Sequence, residues 1–157
     1  MDSRTTTRLI VRAAGKKGRG VFATTEIQRE TKVIIFGGPA RWIREIPERF
    51  WDHCFQVDYD TYVLPKAGSF GWYINHSCNP NCVVRGEREL VSLRSIRKGE
   101  ELTFDYSTNV GWGGFVMECK CESGNCRRTI LSYNRLAEET KRRYGEMVSP
   151  FLLRKNE

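Results

Sequence analysis

The chain has 157 residues, short for two domains and long enough for one well-buried core. Hydrophobic residues make up 39% and charged residues 29%, which excludes a membrane-embedded chain and is too apolar for wholesale disorder. Lys and Arg outnumber Asp and Glu by 26 to 19, and the net charge of +7 favours acidic partners such as nucleic acid without specifying any chemistry.

Residues 1–9 are polar, and the longest early apolar run, residues 33–36, is too short for a leader or a spanning helix. An intracellular protein with reduced thiols is therefore expected, nuclear or chromosomal in a eukaryote and cytoplasmic in a prokaryote. Short runs rich in Val, Ile, Phe, Tyr and Thr follow at residues 8–12, 20–23, 31–36, 54–57, 61–64, 82–85, 89–95 and 101–104, separated by Gly and Pro. They predict a mostly β chain of several small sheets. Ile130, Tyr133, Ala137, Thr140 and Tyr144 recur at helical steps, predicting one amphipathic C-terminal helix that stops at Gly145. Glu138–Arg142 and Glu139–Arg143 are spaced for pairing across one helical turn.

Four segments carry chemistry. Gly15, Gly18 and Gly20 space a turn that enters a strand, where main-chain groups can approach a ligand closely. Ile74-Asn75-His76-Ser77-Cys78-Asn79-Pro80-Asn81-Cys82 is unusually polar and follows Trp72 and Tyr73. Lys98-Gly99-Glu100-Glu101-Leu102-Thr103-Phe104-Asp105-Tyr106 reads as a turn and then a strand. Finally, Cys119, Cys121 and Cys126 form a C-x-C-x4-C cluster able to wrap one tetrahedral zinc. Its fourth ligand must come from elsewhere, with Cys54, Cys78, Cys82, His53 and His76 as candidates.

In their order and co-occurrence these segments resemble the SET-domain protein lysine methyltransferases, with Cys119–Cys126 resembling the family's post-SET zinc motif. The resemblance implies a SET-domain fold: several small curved sheets, a pseudoknot that threads Asn75-His76 beside Phe104-Asp105-Tyr106, a zinc-bound post-SET segment and a C-terminal helix. It implies a division into a SET domain (1–114), a post-SET motif (115–130) and a helix and tail (131–157). Cys78 would complete the zinc site with Cys119, Cys121 and Cys126. S-adenosylmethionine would lie against Lys17, Gly18, Arg19 and Gly20, held by Asn75 and His76, with Tyr73 close by and Lys120 near the adenine.

The implied reaction moves a methyl group from S-adenosylmethionine to a lysine of a protein substrate, a histone tail or another basic protein. Tyr106 and Phe104 would be its catalytic residues. Tyr106 would orient the reacting centre, and Phe104 would leave room for more than one methylation. Where the family often carries a tyrosine, this chain has Ile34, Ile35 and Phe36, so that hydroxyl is either absent or supplied by Tyr59 or Tyr62. Glu45, Glu48, Asp52, Asp58 and Asp60 are candidates for an acidic groove that captures a basic substrate. The competing reading is an inactive zinc-containing binding module associated with chromatin or nucleic acid.

Overall fold

A computed structural model describes residues 8–154; the polar stretch 1–7 and residues 155–157 lie outside the described residues. The chain opens with a hairpin. Its strands β1 (Leu9–Ala13) and β2 (Arg19–Ala23) are joined by a 3-10 turn, Gly15–Lys17, that closes at Gly18 with φ 82°, a conformation that suits glycine. Next come β3 (Lys32–Ile35) and β4 (Ala40–Trp42), then two 3-10 turns, Ile43–Glu45 and Glu48–His53. These lead into β5 (Phe55–Asp58), β6 (Thr61–Val63) and the short helix α1 (Phe70–Tyr73). The second half contains β7 (Asn75–His76), β8 (Cys82–Arg85), β9 (Glu89–Ser92), β10 (Glu101–Phe104), β11 (Val116–Glu118), β12 (Thr129–Leu131) and α2 (Glu138–Tyr144).

The strands form four small sheets, in the orders β1-β2-β10-β7, β3-β9-β8, β4-β6-β5 and β11-β12. Three of them surround one apolar core. Val21 of β2, Ile34 of β3, Phe55 of β5, Val84 of β8, Leu90 of β9, and Leu102 and Phe104 of β10 all belong to it. β2 and β10 lie inside their sheet and are buried along most of their length. The mostly β architecture with few helices matches the sequence expectation.

The one parallel pairing matters most for the site. β7 runs beside β10 with Asn75 opposite Thr103 and His76 opposite Phe104. Two segments distant in sequence are thereby brought into register, the juxtaposition expected of the Asn-His and Phe-Asp-Tyr motifs.

Two expectations need correction. The run at residues 89–95 is a strand only to Ser92; the Leu93 N–H still bonds Asn81 O at 2.8 Å, in register with β8, and the chain then bends. The C-terminal helix is also shorter than its periodicity implied. Ile130 sits in β12, where it faces Met117 of β11, and Tyr133 opens a 3-10 turn, Tyr133–Arg135. Leu136 and Ala137 are extended, so helix begins only at Glu138 and stops at Gly145 with φ 55°. Ladder partners in β11 outcompeted a helical pattern that strand, turn and helix produce together. On α2, Glu138 pairs with Lys141 at 2.8 Å rather than with Arg142.

Candidate active site

Tyr106 stands where these elements meet. It follows β10, its N–H donates to His76 Nδ1 at 3.1 Å, and its hydroxyl donates to Ile74 O at 2.8 Å. Its ring lies 5.3 Å from that of His76 and 5.0 Å from that of Phe104, measured between centroids. Burial pushes the phenol well above its ordinary pKa, and the charges of Asp52 and Glu101 add to the effect. The hydroxyl therefore keeps its proton and acts as a donor, not as a base.

Ile74, Phe104 and Tyr106 line a cavity of about 610 Å³ whose walls include Phe36, Trp51, Tyr59, Tyr62, Trp72 and Trp112. Within the core, Phe36 stacks on Phe55 at 3.9 Å and meets Phe104 edge-on at 6.1 Å. Tyr59 and Tyr62, the two residues expected to replace a missing tyrosine hydroxyl, both reach this cavity. Burial pushes the Tyr62 phenol up to about 12, so it too remains protonated. Of the five acids proposed for a groove, Asp52 and Asp60 line the cavity. The others have different positions: Asp58 pairs with Arg154, Glu45 Oε2 accepts from the Trp42 N–H at 2.9 Å, and Glu48 begins a 3-10 turn outside the lining.

The glycine turn meets Asn75 in a second cluster. Asn75 Nδ2 donates to Arg19 O at 2.8 Å and to Glu101 Oε1 at 2.9 Å, while Lys17 forms an ion pair with the same carboxylate. Gly20 is required here by close approach. A Cβ at this position would overlap Glu101 Oε1 and stand 3.0 Å from Asn75 Nδ2 and Ala14 Cβ. Arg19 lies over the Tyr73 ring at 5.0 Å. Lys17, Gly18, Arg19, Gly20, Tyr73 and Asn75 are thus brought together. Glu101 joins them although the sequence reading did not single it out; its position in the Glu-Glu pair opening β10 was the available signal.

The fold also carries Cys78 to the C-terminal cysteines. Cys78, Cys119, Cys121 and His76 present ligand atoms that all lie within 4.8 Å of one another. Cys126 is outside that group; its Sγ accepts from the Arg128 N–H at 3.4 Å, and the adjacent Arg127 N–H donates to Cys78 Sγ at 3.4 Å. Cys54, Cys82 and His53 are elsewhere. Cys82 is in the core, whereas Cys54 and His53 line the aromatic cavity. His76 approaches Cys78 Sγ through Nε2, at 3.3 Å. Because Nδ1 already accepts from the Tyr106 N–H, the ring proton sits on Nε2, and His76 donates to the sulfur rather than offering it a lone pair. Burial holds His76 down at about 4, so it stays neutral. The imidazole is therefore engaged by Tyr106 and Cys78, not by the Lys17–Glu101 cluster. The three sulfurs of Cys78, Cys119 and Cys121 form the soft part of a donor set suited to tetrahedral zinc, with Cys126 in the same segment.

One further buried group went unrecognised in the sequence. The Asp105 carboxylate is wholly buried and accepts from Arg127 Nη1 and Nη2, each at 2.8 Å, and from the Tyr144 hydroxyl, also at 2.8 Å. Burial is the largest influence and would raise its pKa, but the Arg127 hydrogen bonds, the neighbouring His76, the Arg127 charge and the Tyr144 hydroxyl together offset it and hold the carboxyl below its ordinary value. Arg127 follows Cys126 directly, so this pair ties the cysteine segment to the residue preceding Tyr106.

With this geometry in hand, the comparison with known proteins is decisive: the SET domain pattern matches residues 18–107. The chain belongs to the SET-domain family. It is 32% identical over 128 residues to Histone-lysine N-methyltransferase trr of Drosophila melanogaster, covering 71% of this chain and 5% of that protein. It is 33% identical over 131 residues to Histone-lysine N-methyltransferase 2B of Homo sapiens, covering 72% of this chain and 5% of that protein. The chain thus spans about a twentieth of the length of these relatives. Among solved structures, KRYPTONITE in complex with mCHH DNA, H3(1-15) peptide and SAH aligns with a TM-score of 0.58 and 29% identity, covering 78% of this chain and 29% of that one. In this SET domain Gly18–Gly20, Asn75-His76 and Phe104-Asp105-Tyr106 fall within the matched residues, whereas the turn Gly15–Lys17 precedes them and Cys119, Cys121, Cys126 and α2 lie beyond them. No helix among the described residues is long and apolar enough to cross a membrane.

Proposed function

We propose that the protein transfers methyl groups from S-adenosylmethionine to the side-chain amine of a lysine in a protein substrate, a histone or another basic protein. The observation that carries this reading is the placement of Tyr106. Its hydroxyl is fixed on Ile74 O at the wall of an aromatic cavity, next to a cluster of opposed charges around Asn75. Lys17 and Glu101 suit the two charges at the amino-acid end of S-adenosylmethionine, and the Gly18–Gly20 backbone offers its main chain beside them. When bound, that molecule supplies an electrophilic methyl group on a sulfonium.

The chain's own residues prepare the amine. A lysine in water has a pKa of about 10.4 and carries no free lone pair at neutral pH. Asp52 and Asp60 at the cavity attract the cation. The interior formed by Phe36, Phe104 and the tryptophans then disfavours the charged form and pushes the proton off. The Tyr106 hydroxyl orients the neutral amine, and alignment of two held reactants can be worth roughly 10⁵–10⁸ M in effective concentration. We assign zinc to Cys78, Cys119, Cys121 and Cys126 as a structural clip, and we take residues 1–114, 115–130 and 131–157 as the SET, post-SET and C-terminal parts.

The names of the curated relatives and the H3(1-15) peptide and SAH in the KRYPTONITE complex support this reading. A bare binding module would need neither an ordered phenol nor a cavity closed around it. Radiolabelled methyl transfer from S-adenosylmethionine to core histones tests the proposal. Transfer by the wild type and its loss in Tyr106→Phe, with donor binding retained, is the expected result. Donor binding without transfer to any histone or basic protein would favour the binding module.

A further inference from the structure

The 3-10 turn that carries Tyr106 (Tyr106–Thr108) is gripped at both ends by a segment beyond the matched residues 18–107. At the leading end Asp105 caps the turn. Its Oδ1 accepts from the Ser107 N–H at 3.1 Å, and its Oδ2 accepts from the Tyr144 hydroxyl of α2 at 2.8 Å. At the trailing end the Ser149 N–H donates to Thr108 O at 2.8 Å, and the Ser149 hydroxyl accepts from Asn109 Nδ2 at 2.7 Å. Asp105, Ser107, Thr108, Asn109 and Ser149 are each at most 3% exposed, so water does not replace these bonds when they are lost.

Outside residues 138–154 the turn is tied by the Thr108 hydroxyl to Asp105 O at 2.6 Å and by two bonds between Asn109 and Gln56, at 2.6 and 3.0 Å. It is closed by Thr108 N–H to Asp105 O and Asn109 N–H to Tyr106 O, both at 2.9 Å, the weaker geometry of a 3-10 turn. We propose that residues 138–154 form a clamp on the catalytic turn, with Tyr144 and Ser149 as positioning residues for Tyr106. The inference rests on the methyltransferase reading of this site. Neither residue touches the Lys17–Glu101–Asn75 cluster, so the clamp acts on turnover and leaves donor affinity alone. A displacement of about 1 Å at a catalytic group can cost on the order of 100-fold in rate, so a partial loosening has a readable effect.

Tyr144→Phe and Ser149→Ala each remove one hydroxyl and keep the packing. At saturating S-adenosylmethionine and H3 peptide, kcat should fall about five- to tenfold in each variant, with an unchanged donor Kd by calorimetry. Val91→Ala, at a buried position on β9 outside residues 138–154 and away from the site, lowers overall stability and should leave kcat in place. A direct geometric readout comes from ¹⁵N-tyrosine labelling, because only six tyrosines contribute. The Tyr106 amide resonance should move in both hydroxyl-deletion variants. The clamp is refuted if kcat and that resonance stay put, or if Val91→Ala lowers kcat as much as Tyr144→Phe does. If the wild type transfers no methyl group, the methyltransferase reading fails while the amide resonance still decides the clamp.

Discussion

Replacing Asp105 by Asn perturbs the point where the catalytic strand, the cysteine segment and α2 converge. The carboxylate is fully buried and accepts from Arg127 twice, from Tyr144 and from the Ser107 N–H. An Asn keeps the shape but turns one acceptor into a donor that faces Arg127, and it leaves the guanidinium without a counter-charge. Removing one partner of a buried ion pair costs about 3–5 kcal/mol. Since each kcal/mol shifts the Tm of a domain this size by about 2–4 °C, scanning calorimetry at pH 7 should show a loss of roughly 6–20 °C. The pH dependence has a definite sign. A carboxyl whose folded pKa lies below its unfolded value stabilises the fold above the ordinary Asp value near 3.8, and that stability is lost as the pH falls further. The gap between wild type and Asp105→Asn should therefore close in acid. A loss of under about 3 °C at pH 7, or a gap that widens as the pH falls, would refute the assignment of Asp105 as the charged hub.

The other predictions follow from single contacts. Gly20→Ala places a methyl group on Glu101 Oε1 and breaks its bond to Asn75, so donor Kd measured by calorimetry should rise about tenfold or more while the fold survives. Phe104→Tyr adds a hydroxyl at the cavity wall where a second methyl group needs room; mass spectrometry of the product should shift toward monomethyl-lysine. Chelation should free the segment around Cys119, Cys121 and Cys126 from Cys78. Protease cleavage near residues 115–130 should then appear together with release of zinc measured by a metal-sensitive dye.

The family was legible in the order and co-occurrence of the segments; the glycine-spaced turn and the Asn-His pair are weak signals alone, whereas the C-x-C-x4-C spacing points to a metal by itself. The fold brings Asn75 to Arg19 and Cys78 to Cys119. The short strands were harder to read, because β7 has two residues and β4, β11 and β12 three each, too few for a period. Such strands exist only through distant partners, as β12 does through β11, and so Ile130 was assigned to a helix. The Asp105–Arg127–Tyr144 network was invisible for the same reason. Its members stand 22 and 39 residues from Asp105, and nothing local marks an Asp, an Arg and a Tyr as partners. Glu101 was within reach, one position past a glutamate in a segment already singled out.

The account's central claim is that donor and lysine meet at Tyr106, the donor arriving past Asn75 and the lysine through the aromatic cavity. A crystal structure with S-adenosylhomocysteine and a lysine-bearing H3 peptide measures this directly. The lysine Nε should lie between the Tyr106 hydroxyl and the donor's sulfur, in line for attack and about 3–3.5 Å from where the methyl group would sit. A lysine that enters anywhere other than the cavity lined by Phe104 and Tyr106, or a donor bound away from Lys17, Glu101 and Asn75, would contradict it.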